Sequence, residues 1–203
     1  MNHPPLHSVR PIGDLRDMLA QSVRLYADKP AFLVKDARGG PYRPVTYRQF
    51  GEDVASFGTA LLRAGFQGAR VAIIGENRYE WAVAYMATVC GLGVAVPLDK
   101  ELPPHEIASL IRRSRADVLV HTALRREDVA AIRSGIPTVR LFVDADLQED
   151  ARGTRAFSSL MKEGEMASAS DRNAYLSLPI DPSVLQVLLF TSGTTADSKA
   201  VML

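Results

Sequence analysis

The run Val71-Ala72-Ile73-Ile74, without a polar side chain at any position, constrains the fold most. A strand that is apolar at every position must be covered on both faces, as in a parallel sheet between helical layers. Val94-Ala95-Val96, the apolar centre of Asp117–His121, and Thr138–Val143 read as further strands. Helical patterns separate them. Thr46-Tyr47-Arg48-Gln49 is a capping box, opening a helix with Phe50, Val54, Phe57 and Leu61 on one stripe and a stop at Gly65. Tyr79 to Gly91 reads as a buried helix, apolar nearly all round. Pro103-Pro104 pre-sets another, with Ile107, Leu110 and Ile111 buried, and Glu127–Ser134 is a short one. This alternation predicts an α/β fold: a doubly wound, mostly parallel sheet flanked by helices, with right-handed crossovers.

The flanking stretches read differently. Residues 1–11 are a loose lead-in, and Asp14 caps a helix to about Tyr26. Ala31–Lys35 is a strand, and 36–44 is a turn rich in glycine and proline. Residues 144–183 are polar, with one short helix marked by Phe157, Leu160 and Met161, and are expected to form a mobile connection. The organisation is thus a lead-in helix and strand at 1–45, an α/β core at 46–143, the connection at 144–183, and a terminal unit at 184–203.

That terminal unit carries the chemistry. The apolar run Val184 to Phe190 feeds Thr191-Ser192-Gly193-Thr194-Thr195-Ala196-Asp197-Ser198-Lys199, and a second apolar run follows at once. The hydroxyls of Thr191, Ser192, Thr194 and Thr195 can donate to phosphate oxygens. Gly193 lets the backbone approach a ligand, and Lys199 adds a point charge. The pattern reads as an anion cradle, with a plain polar hairpin loop as the bland alternative. A Walker loop does not fit, because Ser198 stands at its second glycine and Ala200 at its hydroxyl position. A serine-hydrolase elbow fails at Phe190 and Thr194. Val96 breaks a dinucleotide fingerprint begun by Gly91 and Gly93, and Ser109 stands where a zinc helix begun by His105-Glu106 needs its second histidine. Asn77 and Glu76 read as structural caps, and Trp81 and Tyr85 as sheet packing.

Composition narrows the classes further. The 203 residues are 47% hydrophobic, enough for a real core. With 24 basic and 23 acidic residues the net charge is +1, which gives no reason to invoke nucleic acid or an anionic membrane. No apolar run approaches ~18 residues, so no transmembrane helix is expected. The start, Met1-Asn2-His3-Pro4-Pro5, lacks signal-peptide character. Cys90 is the only cysteine and reads as a buried, inert thiol. These features suit a cytoplasmic protein.

Thr191-Ser192-Gly193-Thr194-Thr195 with Lys199 resembles the phosphate-binding signature of the AMP-forming acyl-adenylate synthetases, usually Ser/Thr-Ser/Thr-Gly-Thr-Thr-Gly-x-Pro-Lys-Gly. The chain departs from it at Ala196, Ser198 and Ala200. Thr46-Tyr47, Gly75-Glu76-Asn77-Arg78-Tyr79-Glu80-Trp81 and Val96-Pro97-Leu98-Asp99-Lys100-Glu101-Leu102 are similar to the first subdomain of the acyl-CoA synthetases, nearer to bacterial fatty-acid types than to luciferases.

The resemblance implies a ligase that activates a carboxylic, fatty, acid with ATP as acyl-AMP and transfers it to coenzyme A. It implies Thr191, Ser192, Gly193, Thr194, Thr195 and Lys199 on the ATP phosphates, with Mg2+ held by a carboxylate further along. It also implies that this chain is the N-terminal part of such an enzyme, inactive alone and without catalytic residues of its own. Val184, Leu185 and Val187 to Phe190 would then lie near an incompletely covered sheet edge, able to self-associate. The alternative is a non-catalytic anion-binding or structural α/β domain.

Overall fold

Five parallel strands form the centre of the computed structural model, which describes residues 10–35, 40–191 and 199–203. In chain order the strands are β1 (Pro30–Val34), β2 (Arg43–Thr46), β3 (Ala69–Ile74), β4 (Gly93–Leu98), β5 (Val118–His121), β6 (Leu141–Asp144), β7 (Thr154–Ala156), β8 (Leu188–Thr191) and β9 (Lys199–Met202). The helices are α1 (Leu15–Tyr26), α2 (Tyr47–Arg63), α3 (Tyr79–Ala87), α4 (Pro104–Ser114), α5 (Arg126–Ile132), α6 (Phe157–Glu165) and α7 (Ala169–Leu176). The central sheet runs β4-β3-β5-β6-β7. The first strand of this set thus lies between the second and third, the order of flavodoxin-like doubly wound sheets. β1 and β2 form a separate antiparallel pair.

Alternate residues of β3 feed two cores, as the period of a strand requires. Val71 and Ile73 join the cluster under α1, α2, α3, α6 and α7. Ala72 and Ile74 join the one under α4 and α5. All four are at most 1% exposed, so the double-faced burial expected from the apolar run is observed.

α2 is the main support of the first core. Its N-cap is Thr46, whose side chain accepts from the Gln49 amide at 3.2 Å. The Gln49 amide group goes forward to Asp53 Oδ1 at 2.7 Å instead of closing a reciprocal box. Tyr79 Oη donates to the other Asp53 oxygen at 2.5 Å, tying α3 to α2. Past the end of α2, Gly65 takes a φ of +83°, the left-handed stop that glycine favours. The expected helix 79–91 ends at Ala87, and an irregular turn Thr88–Leu92 brings the chain into β4. Cys90 in this turn is buried, and burial pushes its thiol up to about 12.

Residues 144–183, expected to hold one short helix and otherwise loop, carry a strand and two helices. β7 extends the parallel sheet, and α6 and α7 pack on α2. Phe157 stacks on Phe57 with centroids 4.5 Å apart. Tyr175 is buried, and its hydroxyl donates to the Ala87 carbonyl at 2.9 Å. Phe157, Leu160, Tyr175 and Leu178 carry this segment, while Met166 and Leu176 stay exposed; burying one such side chain is worth about 1.5–3 kcal/mol.

Gly164 lies where α6 crosses α2. A Cβ there would sit 1.9 Å from the Ser56 carbonyl oxygen, a backbone atom that cannot step aside. Helix propensity favours Gly164→Ala by about 0.5–1 kcal/mol, but overpacking costs about 1–3 kcal/mol. Gly164→Ala is therefore expected to lower the urea midpoint. A raised midpoint would mean that the two helices do not touch at this point.

Candidate functional site

The terminal hairpin is seated on the free side of β4. The Ala95 amide donates to the Gln186 carbonyl at 3.0 Å, and Ala95 and Val187 form a parallel bridge. β8 therefore points the same way as the central strands, and Thr191, its last residue, lies toward their carboxyl end. Ligands of open α/β sheets bind at that end. Val187 and Leu188 are buried, and Phe190 packs against the second core beneath the Arg113 guanidinium, 5.5 Å from the ring centre. β9 pairs antiparallel with β8, from Leu188 opposite Met202 to Thr191 opposite Lys199. The element after the loop is a strand, as the sequence indicated. Of the run expected near an incompletely covered edge, Val184 is exposed while Val187 and Leu188 are buried; Val201, Met202 and Leu203 after the loop are exposed as well.

Of the cradle residues, the structure brings Thr191 and Lys199 together as the two stems of the loop. Both are exposed, and the Thr191 hydroxyl reaches the Lys199 carbonyl at 3.5 Å, a weak contact that leaves it available. No carboxylate among the described residues pairs with the Lys199 ammonium. Ser192, Gly193, Thr194 and Thr195 lie outside the described residues.

The loops after β3, β5 and β6 meet at the same end of the sheet. Thr122 Oγ1 donates to Glu76 at 2.5 Å, so Glu76 has the structural role read for it. Asn77 instead lines a cleft of about 1160 Å³, together with Arg78, Trp81 and Asp146. Trp81 and Tyr85 are half-buried and stack on one another at 5.3 Å. Arg78 bridges Glu80 at 2.6 Å and Asp146 at 2.6 Å. Asp144, fully buried, takes the Arg126 guanidinium at 2.6 and 3.2 Å and the Asp146 amide at 2.8 Å. Burial works to raise the Asp144 carboxyl, but the Arg126 hydrogen bonds and the Asp146 amide outweigh it and hold it below the usual carboxylate range. His121 Nδ1 stands 3.2 Å from the Thr122 carbonyl and 3.8 Å from Asp144. Burial lowers its pKa, against the pull of that carbonyl and of Asp144. These charges serve one another, and the cluster ties three strand ends together.

The fold and the hairpin define an α/β domain that presents Thr191 and Lys199 toward the carboxyl edge of a parallel sheet. The sequence profile of the AMP-binding enzyme family matches residues 19–203, and the chain belongs to that family. It is 28% identical over 172 residues, 80% of its length, to long-chain-fatty-acid–CoA ligase 5 of Rattus norvegicus, covering 25% of that protein. It is 30% identical over 198 residues to a 3-[(3aS,4S,7aS)-7a-methyl-1,5-dioxo-octahydro-1H-inden-4-yl]propanoyl:CoA ligase of Mycobacterium tuberculosis, covering 94% of the chain and 37% of that ligase. The chain thus spans between a quarter and two fifths of the length of these relatives. Among solved structures, an anthranilate CoA ligase in complex with anthranoyl-AMP superposes with a TM-score of 0.77 at 23% identity, over 96% of this chain and 35% of that one. The adenylation domain of a Mycobacterium chelonae carboxylate reductase gives 0.78 at 20%, over 95% and 34%. At these identities the likeness is one of fold.

Exposed hydroxyl and ammonium groups at the loop stems suit an anion. They do not suit a metal directly, and among the described residues no cluster of His, Cys, Asp or Glu could hold one. No helix among them is long and apolar enough to cross a membrane. Sequence reasoning missed the Asp144–Arg126 and Arg78–Asp146 pairs. The one signal available was Asp144 ending an apolar strand.

The buried histidine sets a pH dependence. His121 holds its proton less well folded than unfolded, so its contribution is present above about pH 6.5 and lost as pH falls below that value. Depressed Asp144 acts in the same direction, but only at more acid pH. Stability should therefore fall between about pH 7 and 5, and His121→Asn should flatten that slope in urea unfolding. Equal slopes would place the sensitivity elsewhere.

Proposed function

We propose that the chain is the N-terminal part of an ATP-dependent acyl-CoA ligase acting on a carboxylic acid, most simply a fatty acid. The carboxylate attacks the α-phosphorus of ATP, giving acyl-AMP and pyrophosphate, and the thiol of coenzyme A then displaces AMP. The observation that carries this reading is the pairing of Thr191 with Lys199 at the base of the Ser/Thr/Gly loop, at the carboxyl end of the sheet. Family membership and the long-chain names of relatives support it.

In this reading Thr191, Ser192, Gly193, Thr194, Thr195 and Lys199 receive the β- and γ-phosphates. The first step drives an anion at a polyanion and builds charge on the departing pyrophosphate. Fixed donors at those oxygens stabilise that charge where it develops. Mg2+ accompanies the nucleotide in this chemistry, and the described residues offer it no ligand cluster of their own. Ala196, Ser198 and Ala200, where the signature has Gly, Pro and Gly, favour the second reading of an anion-binding domain without catalysis.

Lys199→Ala in the complete protein separates the two readings. Loss of one charge-assisted contact is worth about 1.5–3 kcal/mol, so kcat/KM for ATP should fall roughly ten- to a hundredfold. An unchanged value would refute the phosphate role, since removing a mere surface lysine costs little. The 203 residues alone should show no ATP–pyrophosphate exchange with a panel of fatty acids. Exchange above a boiled control would show that these residues suffice for adenylation.

A further inference from the structure

A second cavity lies on the helical side of the sheet, between α1, α2 and α7. It measures about 390 Å³, within the range of small-molecule sites, about 300–1,000 Å³. Its inner wall is apolar: Leu19, Val23, Val54, Cys90 and Tyr175. Arg16, Arg24, Arg48 and Arg172 stand around it. Glu52 is the one carboxylate among the described lining residues.

The arginines have little opposing charge. Arg16 donates to the carbonyls of Leu176 and Leu178, which fix the guanidinium in place without neutralising it. Arg172 reaches only the Ser56 hydroxyl, at 3.4 Å. Arg24 is exposed, with no partner among the described residues. Arg48 alone is paired, with Asp28 at 3.1 Å. An apolar pocket gains by exchanging water for hydrocarbon. A guanidinium is a preformed fork for a carboxylate.

We infer that this cavity binds an amphipathic monocarboxylate of medium chain length, with the alkyl tail against Leu19, Val54 and Tyr175 and the head group among Arg16, Arg24 and Arg172. The site is separate from the hairpin, none of whose described residues lines the cavity. A concave pocket suits a single dissolved amphiphile better than a flat lipid surface. Binding is read without ATP or coenzyme A, so it does not depend on the acyl-transfer reading.

The test is isothermal titration of the chain with decanoate, decanol and decylamine, each below its micelle concentration. Decanoate should saturate a single site. Decanol should bind about tenfold more weakly, as expected when one charge-assisted contact is lost, and decylamine more weakly still. Ala20 and Arg24 are exposed positions of α1, so changes there should leave the fold intact, which unfolding in urea checks. Ala20→Trp should block the mouth and abolish decanoate binding, and Arg24→Glu should weaken it about tenfold. Equal affinity for decanol and decanoate, unchanged binding by Ala20→Trp, or no saturable binding would overturn the inference. So would binding to phosphatidylglycerol vesicles without binding of monomeric decanoate, which would move the site to a lipid surface.

Discussion

The ladder of β3 between β4 and β5 is what the molecule depends on. Val71 to Ile74 lie at most 1% exposed, so their backbone groups meet no water and must pair with other strands. They do so in parallel register, Ile74 beside Leu98 on one side and His121 on the other. Parallel pairing needs long return connections, and those after β3, β4 and β5 carry α3, α4 and α5, while α1, α2, α6 and α7 complete the cover of one face. It also gathers every strand's carboxyl end on one rim. β4 keeps one edge open, and the terminal hairpin uses that edge through Ala95 and Gln186. The hairpin that bears Thr191 and Lys199 is thus joined by main-chain bonds to the central sheet, which suits a site needing fixed donors.

The charged groups on that rim divide into two sets. Arg78 and Arg126 are committed to Glu80, Asp146 and Asp144. Removing one member of a buried pair costs more than the pair contributes, because the remaining charge is left without a partner. Thr191 and Lys199, by contrast, stand exposed without an opposing carboxylate among the described residues. Lys199 therefore remains available to an anion at the hairpin.

The central sheet was legible in the sequence because its strands are apolar at successive positions and its helices carry caps and stops. Thr46 and Gly65 do what their types suggest. Residues 144–183 were not legible. β7 is three residues long, and α6 and α7 bury a few large side chains among many polar ones, so neither period rises above the composition. The end of β8 was legible as one strand followed by another, from the apolar runs on either side of the loop. Its seating on β4 was not, since a parallel bridge between Ala95 and Val187 leaves no local mark. The Asp144–Arg126 pair spans 18 residues and could be found only in three dimensions.

The central claim is that the hairpin on the β4 edge receives the nucleotide phosphates while the sheet beneath it stays rigid. Hydrogen exchange of the complete protein, with and without ATP, tests it directly. Peptides spanning 187–203 should gain protection with nucleotide, while Val71–Ile74 should be slow to exchange in both states and unchanged. Nucleotide-dependent protection elsewhere, with the hairpin unaffected, would contradict the account.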